Sequence, residues 1–269
     1  LIVADWYDPG VGGHNMRDLD RGRLFLVAPE GHKYNVPKFD FAKLGEAASA
    51  LKSPNMATRY LAWNRLNEAG AKAQTQLQDL WNSDNPVYRA RALWLLGKIK
   101  GREQHWVDTA IGDKDPNIRI TGIRLARQNG ADLIAVCQKL AKDKSPQVRR
   151  EVAIALRGSE SAKAPGLWAE LAAQHDGVDR WYLEALGISA EGQWESYFGA
   201  WLKKVDGKWN TPGGRDIIWR SRATEAAGFI VKILKDESTP EQSHPRYMRA
   251  LDFHSGPSKE KALEALLDI

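Results

Sequence analysis

Cysteine is almost absent from this sequence. The lone Cys137 excludes an internal disulfide and any metal cage built from cysteine alone. No run of about 18 apolar residues occurs, which excludes a membrane-spanning helix. The six histidines form no His-x-x-x-His or His-Glu pair, so the helical zinc-protease motif is missing. Gly-x-Ser-x-Gly, P-loop and dinucleotide fingerprints are missing as well. Lys and Arg never run five in a row, so there is no basic tail, and the net charge of +5 is dispersed. That charge permits an acidic partner without requiring one. The hydrophobic share of 43% and charged share of 27% belong to an ordinary globular chain.

Tryptophan, in contrast, is abundant, with eleven in 269 residues. Most lie at helical spacing from other apolar residues, which reads as core and inter-helix anchoring. A stacking platform for sugars or bases is the sharper alternative.

Two regions differ in period. Residues 1–36 read as β. Leu1-Ile2-Val3-Ala4 and Gly22-Arg23-Leu24-Phe25-Leu26-Val27 are strand-like, with turn formers between them. Two strands cannot bury a core alone. The sequence starts at Leu1 inside an apolar run, as expected for a processed or truncated piece of something longer. From about Pro37 the period is helical and the chain repeats. Arg59, Arg89, Arg119 and Arg149 stand 30 residues apart, and Pro86, Pro116 and Pro146 keep the same step. Apolar helix faces follow each arginine. Looser copies occur at Arg180, Arg215 and Arg246. Proline suits the first helical turn, where its missing N–H costs nothing, and Asp or Ser just ahead can cap. One helix hairpin cannot bury its face, but a stack of hairpins can.

This pattern resembles HEAT repeats of the short kind. In those an Asp precedes the repeated Arg by six positions, as Asp113 and Asp143 precede Arg119 and Arg149. Ser53 and Ser83 replace it ahead of Arg59 and Arg89, so the Asp–Arg ladder is expected to be incomplete. The fold this implies is all-α: a HEAT/armadillo-like right-handed α-solenoid of about six or seven helical pairs over 37–269, with a short β segment over 1–36.

The opening Val3-Ala4-Asp5-Trp6-Tyr7-Asp8-Pro9-Gly10, with Gly13-His14 and Asp20-Arg21-Gly22-Arg23-Leu24-Phe25, resembles the last strands of a β-propeller. The similar proteins are large bacterial membrane-bound dehydrogenases. In these a sugar-dehydrogenase-like propeller leads into HEAT repeats and often into a c-type haem domain. Asp179-Arg180-Trp181-Tyr182-Leu183-Glu184-Ala185-Leu186-Gly187-Ile188, then Trp201-Leu202 and Lys208-Trp209-Asn210-Thr211-Pro212, resemble the helical linker of the same family. The resemblance implies an extracytoplasmic, periplasmic setting. It further implies that 1–36 end a propeller-like module and that haem c belongs to the parent protein or a partner. No Cys-x-x-Cys-His occurs here, so no covalent haem, and no other cofactor, is expected in this chain.

Several constellations have two readings. Asp5, Asp8 and His14 are either turn residues bonded to local backbone or ligands for a metal or substrate at a propeller mouth. The arginine series Arg59, Arg89, Arg119, Arg149, Arg180 and Arg215 is either structural, each arginine tied to its neighbouring repeat, or a phosphate-tracking row. Trp209 either closes a gap between repeats or anchors a ligand, and Trp181 is a second candidate anchor. HEAT-like alkylpurine DNA glycosylases use aromatic residues with a carboxylate near a basic groove, for which Asp179, Trp181 and Tyr182 are the nearest match. The expectation is no catalytic residue, no metal, and a concave face that contacts protein, either a propeller or a cytochrome-type module. A DNA-binding enzyme of the glycosylase type is the alternative, and nucleic acid is otherwise not the expected partner. A third reading is a redox complex with haem nearby.

Overall fold

A computed structural model of the chain describes residues 1–5, 22–33 and 37–267. Asp8 and His14 lie outside these. The chain forms two compact units, Leu1–Phe39 and Asp40–Ile269.

In the first unit β1 (Ile2–Asp5) pairs antiparallel with β2 (Arg23–Leu26), with Val3 opposite Phe25 and Asp5 opposite Arg23. Ile2, Leu24, Phe25, Leu26 and Val27 are exposed. Apolar residues at successive positions cover both faces of this ribbon, whereas a strand buried on one face alternates with polar residues.

The second unit is an all-α solenoid of helix hairpins. The pairs are α1 (Leu44–Ala50) with α2 (Met56–Ala69), α3 (Gln74–Trp81) with α4 (Pro86–Leu96), and α5 (Glu103–Ile111) with α6 (Pro116–Asn129). Then come α7 (Leu133–Leu140) with α8 (Pro146–Ala155) and α9 (Ala164–Ala172) with α10 (Arg180–Ser189). Next, α11 (Trp194–Val205) packs on α9 and leads into α12 (Pro212–Arg220), and α13 (Ala226–Lys235) pairs with α14 (His244–Ala250); α15 (Pro257–Glu264) packs on α13. The second helix of each hairpin touches the second helix of the next, from α2 through α14, and so forms a layer of its own.

Local chemistry accounts for the hairpin turns. Pro86, Pro116, Pro146 and Pro212 open their helices at the first turn. Asn85 and Asp115 accept N–H bonds from Val87 and Asn117, at 2.9 and 2.7 Å. Ser145 departs from the expected cap: its hydroxyl bonds Gln147 Oε1 instead. Two residues before each cap, Ser53, Ser83, Asp113 and Asp143 all accept the N–H of the residue two positions on. Serine and aspartate both do this as Asx- or ST-turn formers, which explains why they exchange at this position.

Between the layers lies a continuous apolar core, including Leu51, Leu66, Leu77, Leu93, Leu96, Ile118, Ile123 and Leu156. At Gly122 a Cβ would stand 2.9 Å from Ala110 Cβ and Ile111 Cγ2, so glycine lets α6 press against α5. Trp106, Trp168 and Trp201 are buried in this core, and the Trp168 indole N–H donates to Leu186 O and Ser189 Oγ. Here tryptophan anchors helices, as large apolar side chains with one satisfied donor do.

Candidate functional site

The repeated arginine occupies the fourth position of its helix and points at the turn that joins the two helices of its hairpin. Arg119 is the fullest case. Its Nη1 donates to the carbonyls of Asp113 and Lys114, at 2.8 and 3.1 Å. Its Nε and Nη2 donate to the two carboxylate oxygens of Asp143, both at 2.7 Å, and both side chains are 7% exposed. Arg89 makes the same bidentate pair with Asp113, and its guanidinium lies 4.4 Å over the Trp81 ring. Burial pushes the Asp113 and Asp143 carboxyls up. The arginine hydrogen bonds, a backbone N–H and nearby positive charge outweigh this and hold both below the ordinary range.

The ladder therefore runs forward. Asp113, six positions before Arg119, gives Arg119 only its backbone carbonyl. Its side chain serves Arg89, 24 residues back. Arg59 finds Ser83 at that forward spacing and settles on the carbonyls of Ser53 and Pro54. Arg149 bonds Asp143 O and lies 5.4 Å over the Tyr182 ring. Arg215 bonds Asp236 at 2.7 Å, Thr239 at 2.9 Å and Asn210 at 2.6 Å.

Arg180 departs from the series. It stands first in α10, where Leu183 fills the fourth position, and its side chain is 66% exposed. It pairs with Glu184 on the same helix at 2.7 Å. The displaced register puts Arg180 on the outer surface of the second-helix layer, not in the turn.

That surface carries an open groove of about 450 Å³ across α6, α8 and α10. Its floor is apolar: Ile120, Ile154 and Ile188, one from each helix, with Ala185. Trp181 stands beside it at 73% exposure. The polar rim is tied down. Arg124 donates to both carboxylate oxygens of the buried Glu151, at 3.0 and 2.7 Å. Glu184 accepts from Arg180 and from Arg220 on α12. Burial raises the Glu184 pKa, but these arginines hold it below the ordinary range.

The two candidate anchors separate. Trp181 is open, while Trp209 is half-buried and packs edge-on against Phe229 of α13, ring centroids 5.2 Å apart. Trp209 thus contacts the hairpin that follows it. Asp179, Trp181 and Tyr182 do not converge either. Asp179 caps α10 by accepting the Tyr182 N–H at 3.0 Å. Tyr182 is buried, and its hydroxyl donates to Leu171 O at 3.0 Å. Only Trp181 of the three is free to stack on a ligand. Of the cluster Asp5, Asp8 and His14, only Asp5 falls within the described residues, at the end of β1.

His175 is buried. Its Nε2 lies 2.9 Å from Asp216 Oδ2, and its ring stacks on Tyr182 at 6.0 Å. Asp216 also accepts from Arg246 at 2.6 Å. This network joins α10, α12 and α14 beneath the surface.

Repeat position alone identified the ladder residues. The groove residues Ile120, Ile154 and Ile188 escaped because they read as core in the helical pattern. Their regular 34-residue step was the available signal.

The folded class is a two-layered helical-repeat protein with an apolar groove on its second-helix layer. No protein-family model matches the chain, and no curated protein does. Among solved structures, an X-ray structure of the Escherichia coli protein YibA is similar over 87% of this chain and 99% of its own, at 17% identity and a TM-score of 0.46. No helix among the described residues is long and apolar enough to cross a membrane.

Proposed function

We propose that this chain is a non-catalytic scaffold that binds a protein segment along its second-helix layer. The observation that carries the reading is Trp181, a large aromatic side chain left 73% exposed beside an apolar floor drawn from three successive helices. Protein interfaces concentrate binding energy in such anchors, ringed by polar groups that are already satisfied. The groove is open and drawn from three helices, which suits an extended segment or a helix presenting aliphatic side chains. The paired rim arginines bring no unbalanced charge to the groove, which disfavours a phosphate-tracking role for this stretch.

The resemblance of residues 3–25 and 179–212 to bacterial membrane-bound dehydrogenases supports a wider setting. In it the scaffold holds a propeller module and a cytochrome-type module in fixed geometry outside the cytoplasm, with haem c in the parent or a partner. The flanking coding sequence tests that setting by the presence of a propeller and a Cys-x-x-Cys-His motif.

The binding reading is tested with peptides selected from a random display library against the intact chain. Trp181→Ala should weaken them by roughly tenfold or more, as loss of a central aromatic anchor does. Peptides that bind wild type and Trp181→Ala equally would refute the groove. Duplex DNA bound tightly, with affinity falling steeply as salt rises, would favour a nucleic-acid enzyme instead.

A further inference from the structure

At its α12–α14 end the second-helix layer gathers arginines around two aromatic rings. Trp219 on α12 is fixed by its indole N–H, which donates to Arg246 O at 3.2 Å. The Arg246 guanidinium lies 4.4 Å over its ring, and Arg180 approaches to 5.8 Å from α10. Phe253, just past α14, is covered by Arg222 at 4.3 Å. Trp219, Arg222, Arg246, Arg249, Ala250 and Phe253 wall a cleft of about 200 Å³.

The two carboxylates that bond arginines of this cluster are each shared between two partners. Asp216 holds Arg246 and His175, and Glu184 holds Arg180 and Arg220. Neither lines the cleft. Arg222 directs Nη1 at the carbonyls of Trp219, Arg220 and Ser221. Its other N–H groups, and all those of Arg249, have no partner among the described residues. The buried His254 and the half-buried Arg222 both feel the neighbouring arginines. Burial, then the charges of Arg222 and Lys259, keep His254 below the ordinary histidine range. Burial, then Arg220, lowers the Arg222 pKa.

We propose that this cleft is a carboxylate-binding site that takes an acidic side chain of the protein segment bound along the second-helix layer. The inference rests on the protein-binding reading and assigns the partner its charge. Guanidinium forks bind planar carboxylates through paired, charge-assisted hydrogen bonds. Both aromatic rings already carry a guanidinium, which leaves them poorly placed to stack a nucleobase. A duplex would need cations continuing along the layer, but Arg124, Arg150 and Arg157 on and beside α6 and α8 are paired with Glu151, Asp179 and Glu191.

The test uses the intact chain and fluorescence anisotropy of a fluorescein-labelled, C-terminally amidated hexaglutamate, with hexaglutamine bearing the same label as control. Hexaglutamate should bind in a salt-sensitive manner and hexaglutamine should not. Arg249 is exposed and unpartnered, so its substitution leaves the fold intact, which a thermal melt verifies. Arg249→Ala should weaken hexaglutamate binding about fivefold, the effect of one partly solvated charged hydrogen bond, and Arg249→Glu should abolish it. Trp181→Ala should leave hexaglutamate binding unchanged while weakening the selected peptides, so failure of this site and failure of the groove give different results. Equal binding of hexaglutamine would overturn the proposal. So would indifference to Arg249→Glu, or tighter binding of oligodeoxythymidine through the same arginine.

Discussion

Replacing Asp143 with alanine strikes the ladder where it is most buried. Asp143 receives two 2.7 Å bonds from Arg119 and one 2.8 Å bond from the Ser145 N–H. Without it, a guanidinium with a 7% exposed side chain keeps only the two carbonyls of its own turn. Removing one partner of a buried ion pair costs about 3–5 kcal/mol, because the remaining charge stays desolvated. Replacing both partners with apolar side chains of similar size, Arg119→Met with Asp143→Leu, should recover most of that loss. Arg180→Ala is the internal control. Its 66% exposed side chain makes a same-helix pair, worth about 0.5 kcal/mol or less. Urea unfolding followed by circular dichroism reads the totals. Hydrogen exchange reads the location, since contacts in a repeat array are made between neighbours: protection should fall first in α6, α7 and α8. A loss below about 1 kcal/mol for Asp143→Ala, or equal losses for Asp143→Ala and Arg180→Ala, would refute a buried clip between repeats.

Acid should loosen the same clips. Asp113, Asp143 and Asp216 are held below the ordinary carboxylate range. Their stabilisation is therefore complete above the unfolded-state value of about 4 and is lost as pH falls through their native values; urea midpoints should be flat near neutrality and drop below about pH 4. Gly214→Ala should be strongly destabilising in thermal melts, because its Cβ would stand 1.9 Å from Trp209 O. Gly228→Ala in α13, where a Cβ meets nothing within 4 Å, should stabilise by about 0.5–1 kcal/mol. Cys137 is buried and its thiol is pushed up to about 12 by burial. It should resist a disulfide reagent at pH 8 in the native state and react on unfolding; fast native-state reaction would mean that α7 opens locally.

The hairpins were legible because each turn is written in short-range chemistry. A proline at the first helical position, a side-chain acceptor just before it, and an arginine three residues further on recur every 30 residues. The pairing was not legible. The six-residue spacing from Asp113 to Arg119 looks like a local pair, whereas the carboxylate serves Arg89 across a whole repeat, and only folding brings those residues together. Arg180 misled for a related reason. It stands near a helix start as the other repeat arginines do, but α10 begins at Arg180 itself, three positions ahead of the ladder site. Arg215 finds its acid at Asp236, with Thr239 at the forward spacing where Arg89 and Arg119 find theirs, a substitution that one sequence cannot announce. The groove was hidden because Ile120, Ile154 and Ile188 satisfy the helical apolar pattern as well as core residues do; their partial exposure depends on how successive helices splay.

The most direct test of the account is the footprint of a selected peptide on the intact chain, read by hydrogen exchange with mass spectrometry. Added protection should appear in α6, α8 and α10 and be absent from α5, α7 and α9, with Trp181→Ala removing it. Protection centred on the first-helix layer, or unchanged by Trp181→Ala, would contradict the assignment of this face as the binding surface.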